Sequence, residues 1–415
     1  MLPPPQNVGD GNKLLRALRT TWFGLAVAMF WLVAITIVLD RFPLPIGGSF
    51  GYRSLARNVA ILVVVGHLVA IPGLRLTRSF LALPLLAYFA AAVLSVAING
   101  ETWGEVRLLG TVVGFYLAAR ALAAQRTGSA MLLHWLGALV LMQLVREFTA
   151  QPQLLLLREE LRNTLVTDHP NSVGYTLAVL LPLFVGAALR RDAGLLPRLY
   201  AIAAPIGLII TFSRSAWGSA ALGVMTIFVA LRRRGQSAVQ QALLVGTLAL
   251  SATVFASISY ISSGRTEADL QRLRIIEASL SLFREHWLVG VGFGGPNFKE
   301  VFPARYLELY GEGLFLFHSH NTVVDVLACT GVIGAIAVAW FVWRLCRLAL
   351  RGLRVAPVAV STEGVCIAVS IATFLAMGLV DVPASHPKLM LIFAVALAYL
   401  ETRIEELAAS HLRQR

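Results

Sequence analysis

The chain has 415 residues, of which 57% are hydrophobic and only 14% charged, and its mean hydropathy is +0.74. A soluble domain carries about 25% charged residues, so a soluble multidomain enzyme, a secreted disulfide scaffold and a disordered chain are all excluded. The net charge of +13 rests on 35 basic residues, 32 of them Arg, but no long soluble basic stripe exists to track a nucleic acid.

Apolar runs long enough to cross a bilayer recur along the chain, without the short alternating strands of a membrane β-barrel. They predict an all-α polytopic membrane protein with about twelve spans. In chain order the spans fall at roughly 22–39, 59–72, 79–98, 108–124, 130–149, 172–189, 196–212, 215–231, 239–260, 321–343, 358–380 and 387–400. The first run is too long for a signal-peptide core and has no small-residue cleavage site after it, so it reads as a span. Cys329, Cys346 and Cys366 all lie in apolar segments at spacings that match no zinc pattern, and they read as small buried hydrophobes.

The connections sort by charge. With the N-terminus in the cytoplasm, the cytoplasmic connections hold 20 basic and 6 acidic residues, and the other side 15 basic and 16 acidic. This follows the positive-inside rule and predicts that both termini are cytoplasmic. The expected organisation is a cytoplasmic tail over 1–21, nine spans over 22–260, one large external loop over 261–320, three spans over 321–400 and a cytoplasmic tail over 401–415. Within the large loop, Leu270, Leu273, Ile276, Leu280 and Phe283 recur at helical spacing, which predicts a helix over Thr266–His286 with that face on the bundle or in lipid headgroups. The run Leu288–Phe298 that follows is rich in glycine. It succeeds no strand and lies on the side without ATP, so it reads as a tight turn and not as a nucleotide cradle.

Four polar features gather on the external side. Arg214, in Thr211–Trp217, sits at the junction of two spans, where it either snorkels to headgroups or meets an anionic partner. Arg284 ends the amphipathic helix, with Arg265, Arg272 and Arg274 nearby, and is read either as paired to Glu285 or Glu277 or as a ligand for substrate. His318, Ser319, His320 and Asn321 stand where the chain re-enters the membrane. Either they cap the tenth span, or an imidazole there moves a proton. The His-x-His pair lacks a third ligand at sensible spacing, which argues against a metal. Asp168, His169 and Asn171 precede the sixth span and either cap it or line the same cavity. Guanidinium groups match phosphate oxygens in forked fashion, and phosphates on the outer side of a membrane usually belong to lipids. A carrier lipid with a diphosphate head is therefore the natural substrate.

These residues resemble the O-antigen ligase family, the group that also includes O-antigen polymerases and protein O-oligosaccharyltransferases. His320-Asn321, nine residues and then Gly331 is similar to the family's His-[Asn/Ser/Gln]-x9-Gly signature. Thr211–Gly218 and Phe283–Gly294 resemble two further family segments, and the twelve-span layout with one large loop matches as well. His318 adds a second histidine beside the signature. The resemblance implies a GT-C-like glycosyltransferase of the bacterial inner membrane with its active site facing the periplasm. It implies transfer of a polysaccharide from undecaprenyl diphosphate to a sugar hydroxyl of lipid A–core, with inversion and with no metal, nucleotide or other cofactor. On this reading His320 is the general base, Arg214 and Arg284 hold the diphosphate, and Asn321 orients His320. Arg265, Arg272, His318, His169 and Asn171 are the further binding candidates. An O-antigen polymerase or a protein O-oligosaccharyltransferase would use the same donor site. A polysaccharide or lipid transporter is the rival of another class, and it predicts ionisable residues at mid-span instead of at the rim.

Overall fold

The computed structural model describes residues 9–39, 41–43, 49–70, 79–124, 128–152, 170–190, 192–232, 266–354, 360–379, 382 and 386–414. The described residues are almost entirely helical. Helix α1 (Gly9–Leu39) leads through a two-stranded antiparallel hairpin, β1 (Arg41–Pro43) and β2 (Ser49–Gly51), into α2 (Tyr52–Ala70). There follow α3 (Ala82–Asn99), α4 (Gly104–Leu122), α5 (Gly128–Ala150), α6 (Pro170–Ala188), α7 (Leu195–Ile210) and α8 (Arg214–Arg232). After them come α9 (Thr266–Glu285), α10 (Gly295–Tyr310), α11 (Thr322–Arg354), α12 (Val360–Gly378) and α13 (Pro387–Gln414).

Among the described residues five helices are long and apolar enough to cross a membrane, within α1, α3, α5, α6 and α11, and α7, α8 and α12 hold shorter apolar segments. The chain is a multi-pass membrane protein. Helices cover the positions of the expected spans except 239–260, which lies outside the described residues. The hairpin of β1 and β2 was not expected.

Helix α6 is the centre of the bundle. Apart from Asn171 and Ala188 its residues are all buried, against α5, α7, α8, α12 and α13. Around it α2 packs on α4, α13 on α4 and α5, and α3 on α11. Small residues set some of these distances. Gly137 on α5 faces the Tyr200 ring of α7, where a Cβ would stand 2.3 Å from the ring. Leu199, Ile202 and Ile206 on α7 and Ile61 and Val65 on α2 stay uncovered by protein, as expected for side chains that face lipid.

The two ends of the bundle differ in chemistry. Ser370 Oγ donates to the Val179 carbonyl at 2.7 Å, and Gly186 lies against Cys366, so α6 and α12 run antiparallel. The start of α12 therefore sits at the end where α6 finishes. There Arg403 donates two bonds of 2.7 Å to the Glu363 carboxylate. Glu406 accepts from the Ser129 amide and hydroxyl, both at 2.7 Å. Glu401 accepts from the Phe80 amide and the Tyr116 hydroxyl. These bonds hold α13 against α3, α4, α5 and α12. They explain why α13 runs on to Gln414 with Thr402, Ile404 and Leu407 buried, where the sequence suggested a tail from residue 401.

In the large loop, α9 forms where the spacing predicts it, but a different stripe is buried. Ile275, Ala278 and Leu282 pack against Phe298, Phe302 and Tyr306 of α10 and Ala328 and Cys329 of α11. Leu270 and Leu273 of the expected face are 58% and 63% exposed. The second helix, α10, was not expected at all, because the glycine run that precedes it hides its start.

Candidate active site

The site is organised by a break in α11. Gly331 has φ 62° and ψ −161°, far from helical values. Its φ lies in the left-handed half that glycine enters without a Cβ clash. The glycine-rich segment after α9 fills the break. The Val291 amide donates to the Ala328 carbonyl at 2.9 Å, and the Val332 amide donates to the Trp287 carbonyl at 2.8 Å. In an unbroken helix the Val332 amide would bond Ala328 itself; here the loop backbone inserts into the ladder and satisfies both groups. A Cβ on Gly331 would stand 2.4 Å from the Leu288 carbonyl carbon, and one on Gly290 would stand 2.3 Å from that of Cys329. Close backbone packing, not phosphate binding, accounts for these two glycines.

The loop is stapled on its other side by α3 and the turn after it. Ser95 Oγ donates to the Cys329 carbonyl at 2.6 Å and Asn99 Nδ2 to the Gly290 carbonyl at 2.8 Å. Asn297, almost fully buried, accepts from the amides of Glu101 and Thr102 and donates to the carbonyls of Thr102 and Phe293. Sequence reading passed over Ser95, Asn99 and Asn297. The available signal was a pair of polar residues four apart inside an otherwise apolar span.

The histidine loop meets this assembly from the α11 side. A Cβ on Gly295 would come within 2.9 Å of the Phe317 carbonyl oxygen, so α10 begins against the backbone just before His318. His320 has φ 56°, a left-handed value that costs a non-glycine residue energy and persists only where neighbours impose it. The neighbours are identifiable. The Ser319 amide donates to Asp325 Oδ1 at 2.9 Å, and Ser319 Oγ donates to the Asn321 carbonyl at 2.9 Å. Asn321 Oδ1 accepts from the amides of Val323 and Val324, the geometry of a helix N-cap. Asn321 Nδ2 donates to the Leu379 carbonyl at 2.8 Å, which ties the start of α11 to the end of α12. Asn321 thus fixes the start of α11 next to His320. The His318 and His320 rings meet edge to face with centroids 4.5 Å apart.

The arginines are placed unevenly. Arg284 lies in the last turn of α9 with its side chain exposed. Both of the carboxylates considered for it bind elsewhere. Glu285 pairs with Arg305, and Glu277 accepts from the Tyr310 hydroxyl at 2.7 Å. Burial, and then that Glu277 carboxylate, push the Tyr310 phenol up to about 12. Among the described residues Arg284 has no ion partner. Arg274 pairs with Glu312 at 3.1 Å. Arg272 is exposed, but it stands twelve residues before Arg284, about 18 Å along the helix axis, so the two do not converge.

Arg214 opens α8; its side chain lies outside the described residues, as do Arg265, Asp168 and His169. Gly174 of α6 packs against Thr211, Ser213 and Ala216, and the hydroxyls of Tyr175 and Ser215 lie 3.3 Å apart. Asn171, half-buried, stands one turn before Gly174. Since α6 and α12 are antiparallel, this corner lies at the end where Leu379 receives Asn321. The turn carrying Arg214, the start of α6, the histidine loop and the Arg284 segment therefore share one end of the bundle. The carboxylate network of α13 occupies the other.

Residues 199–339 match a protein-family model described as O-antigen ligase. That stretch, about a third of the chain, is similar to the O-antigen ligase family. The match runs from α7 into α11 and takes in Arg214, Arg284, His320 and Gly331. No curated protein matches the chain. In this chain the His-Asn-x9-Gly spacing has a structural meaning: Asn321 caps the helix, and Gly331 admits the loop that follows Arg284.

Proposed function

We propose that the protein is an O-antigen ligase of the bacterial inner membrane. It transfers a polysaccharide from undecaprenyl diphosphate to a sugar hydroxyl of lipid A–core on the periplasmic face. One observation carries the reading above the others: within a region matched to the O-antigen ligase family, the segment that follows Arg284 is hydrogen-bonded into the helix that His320 opens. A candidate cation for phosphate and a candidate base are thereby held on one backbone frame. On this reading the chain crosses the membrane about twelve times in a GT-C-like arrangement, and residues 261–320 stand over the outer leaflet.

The chemistry follows from the groups. His320, unprotonated, accepts the proton of the acceptor hydroxyl as that oxygen attacks the anomeric carbon of the donor. The bond between that carbon and the diphosphate oxygen breaks, and undecaprenyl diphosphate leaves with the electron pair. Attack opposite the leaving group inverts the anomeric centre. Arg214 and Arg284 stabilise the charge that grows on the diphosphate, an electrostatic contribution preorganised before the reaction. Proton removal by a placed base contributes about 10²–10⁴-fold. Asn171, His169, Arg265, Arg272 and His318 are candidates for contacts to the rest of the donor or to the acceptor.

The test is transfer by the purified full chain, given diphosphate-linked glycan and a defined acceptor. Product on lipid A–core, lost on His320→Ala, supports the ligase. Chain extension on a second lipid-linked glycan makes it a polymerase, and product on pilin Ser or Thr makes it a protein O-oligosaccharyltransferase. Movement of lipid-linked glycan across the bilayer without transfer overturns the enzymatic reading.

A further inference from the structure

Three arginines at the end opposite the histidine loop have no role in that chemistry. Arg344, Arg347 and Arg351 sit at i, i+3 and i+7 on α11 and therefore on one face of the helix. Among the described residues none of them has a carboxylate partner. Glu401, which binds the Phe80 amide, is already engaged by Tyr116 and Arg120 as well. Aromatic rings hold the guanidiniums in place instead. Arg344 stands 4.2 Å and Arg351 4.3 Å from the centroid of the same Phe80 ring, and Arg347 stands 5.0 Å from Trp343. Arg344 Nε is buried and makes no hydrogen bond among the described residues. Two more arginines, Arg75 and Arg78, precede Phe80 in the sequence.

The same stretch of α11 leaves Trp343, Leu350 and Leu353 uncovered by protein. Arginine forks fixed on aromatic rings, an orphaned buried donor and apolar side chains alongside match a ligand with phosphate oxygens at one end and acyl chains at the other. The charge asymmetry of the connections puts this end on the cytoplasmic side, where anionic lipids supply that ligand.

We propose that the Arg344–Arg347–Arg351 face of α11, with Phe80 and Trp343, is a binding site for the headgroup of an anionic phospholipid. The site is separate from the transfer site and independent of its assignment. Phe80 holds two guanidiniums on one ring, so their forks are preorganised. The aromatic contacts leave the N–H donors free to meet phosphate.

The full chain, reconstituted in phosphatidylcholine nanodiscs doped with phosphatidylglycerol and released for native mass spectrometry, tests this. The wild type is expected to retain phosphatidylglycerol selectively. R347Q/R351Q removes two exposed charges and is expected to lower that retention about thirtyfold. R347K/R351K, which keeps charge and loses the forks, should fall between them and gives a second readout should the glutamine variant fold poorly. Arg198→Gln removes an exposed charge from α7 at the same end and should leave retention unchanged. Equal retention by wild type and both double variants, or an equal loss with Arg198→Gln, overturns the site. Displacement of the lipid by soluble glycerol 3-phosphate assigns the site to free phosphate and overturns the lipid.

Discussion

Gly290 and Gly331 interlock. Gly290 lies against the peptide between Cys329 and Thr330, while Gly331 lies against the peptide between Leu288 and Val289. Both have positive φ, 71° and 62°. Neither has room for a methyl group, and the obstacle in each case is backbone, which cannot rotate away. The contact seats the segment after Arg284 on the helix that begins beside His320.

Alanine at either position should therefore cost stability and function together. Gly331→Ala places a Cβ in a left-handed backbone and in collision with Leu288, and about 2–4 kcal/mol of destabilisation is expected. Gly290→Ala should behave alike. The double variant should cost less than the two singles combined, since one change already separates the two backbones. Thermal unfolding in detergent measures all three, and additive losses would show that the glycines act separately.

His320 has two separable properties, its ring and its backbone. Asparagine tolerates the left-handed region better than most residues, so His320→Asn should unfold near the wild-type temperature while transfer falls by about 10²–10⁴-fold. His320→Val should lower the melting temperature as well, because a β-branched residue resists that φ. Transfer at an undiminished rate in the asparagine variant would remove the proton-accepting role.

Asn321 should report on positioning. Asn321→Ala loses the cap of α11 and the tie to Leu379, at about 1 kcal/mol for the cap alone. Asn321→Asp keeps an acceptor for the amides of Val323 and Val324 but cannot donate to the Leu379 carbonyl. If the tether to α12 sets the height of His320, the aspartate variant will melt nearer the wild type than the alanine variant and still lose turnover.

Arg284 and Arg305 belong to the two helices of the large loop yet should give opposite signatures. Arg284 has no ion partner among the described residues, so Arg284→Gln should leave the melting temperature unchanged and raise KM for the diphosphate donor. Arg305 bonds Ser281, Glu285 and Glu308, tying α9 to α10, so Arg305→Gln should lower the melting temperature with KM unchanged. Arg284→Lys should also be impaired, because a point charge replaces a fork. Donor titrations beside melting curves decide between the two roles.

Asn297 is the largest single risk in the loop. Its replacement by Ala leaves the amides of Glu101 and Thr102 and the carbonyls of Thr102 and Phe293 without their partner. A loss of about 2–4 kcal/mol is expected, with faster amide exchange at Glu101 and Thr102 as the local readout.

Sequence alone made the spans legible because bilayer thickness imposes a long apolar window that few other folds need. It also singled out Arg214, Arg284 and His320 as candidates, since an ionisable group at the rim of such a window stands out. It picked out one stripe of α9, while a second stripe, Ile275, Ala278 and Leu282, packs on protein. Leucine spacing identified an amphipathic helix, but Ala278 and Ser279 are small enough to approach α10 and α11, and the helix turns that side inward. It passed over α10, whose stacked Phe298, Phe302, Tyr306 and Tyr310 recur every four residues, because the preceding glycines suggested a turn. Asn297 was invisible for a different reason: its partners Glu101 and Thr102 lie 196 and 195 positions away, which no local pattern encodes.

Helix α11 begins at Thr322 and breaks at Gly331, so nine helical residues separate the imidazole from the inserted loop. At about 1.5 Å per residue this stretch is a ruler of about 13 Å, and it also fixes an angle, since each residue turns the helix by about 100°. Removing or adding one residue between Asn321 and Gly331 would swing the histidine a quarter-turn or more away from the segment after Arg284, even if every side chain were kept. The spacing of the signature is thus a specification of length and phase, and an insertion there should be more damaging than most substitutions within it.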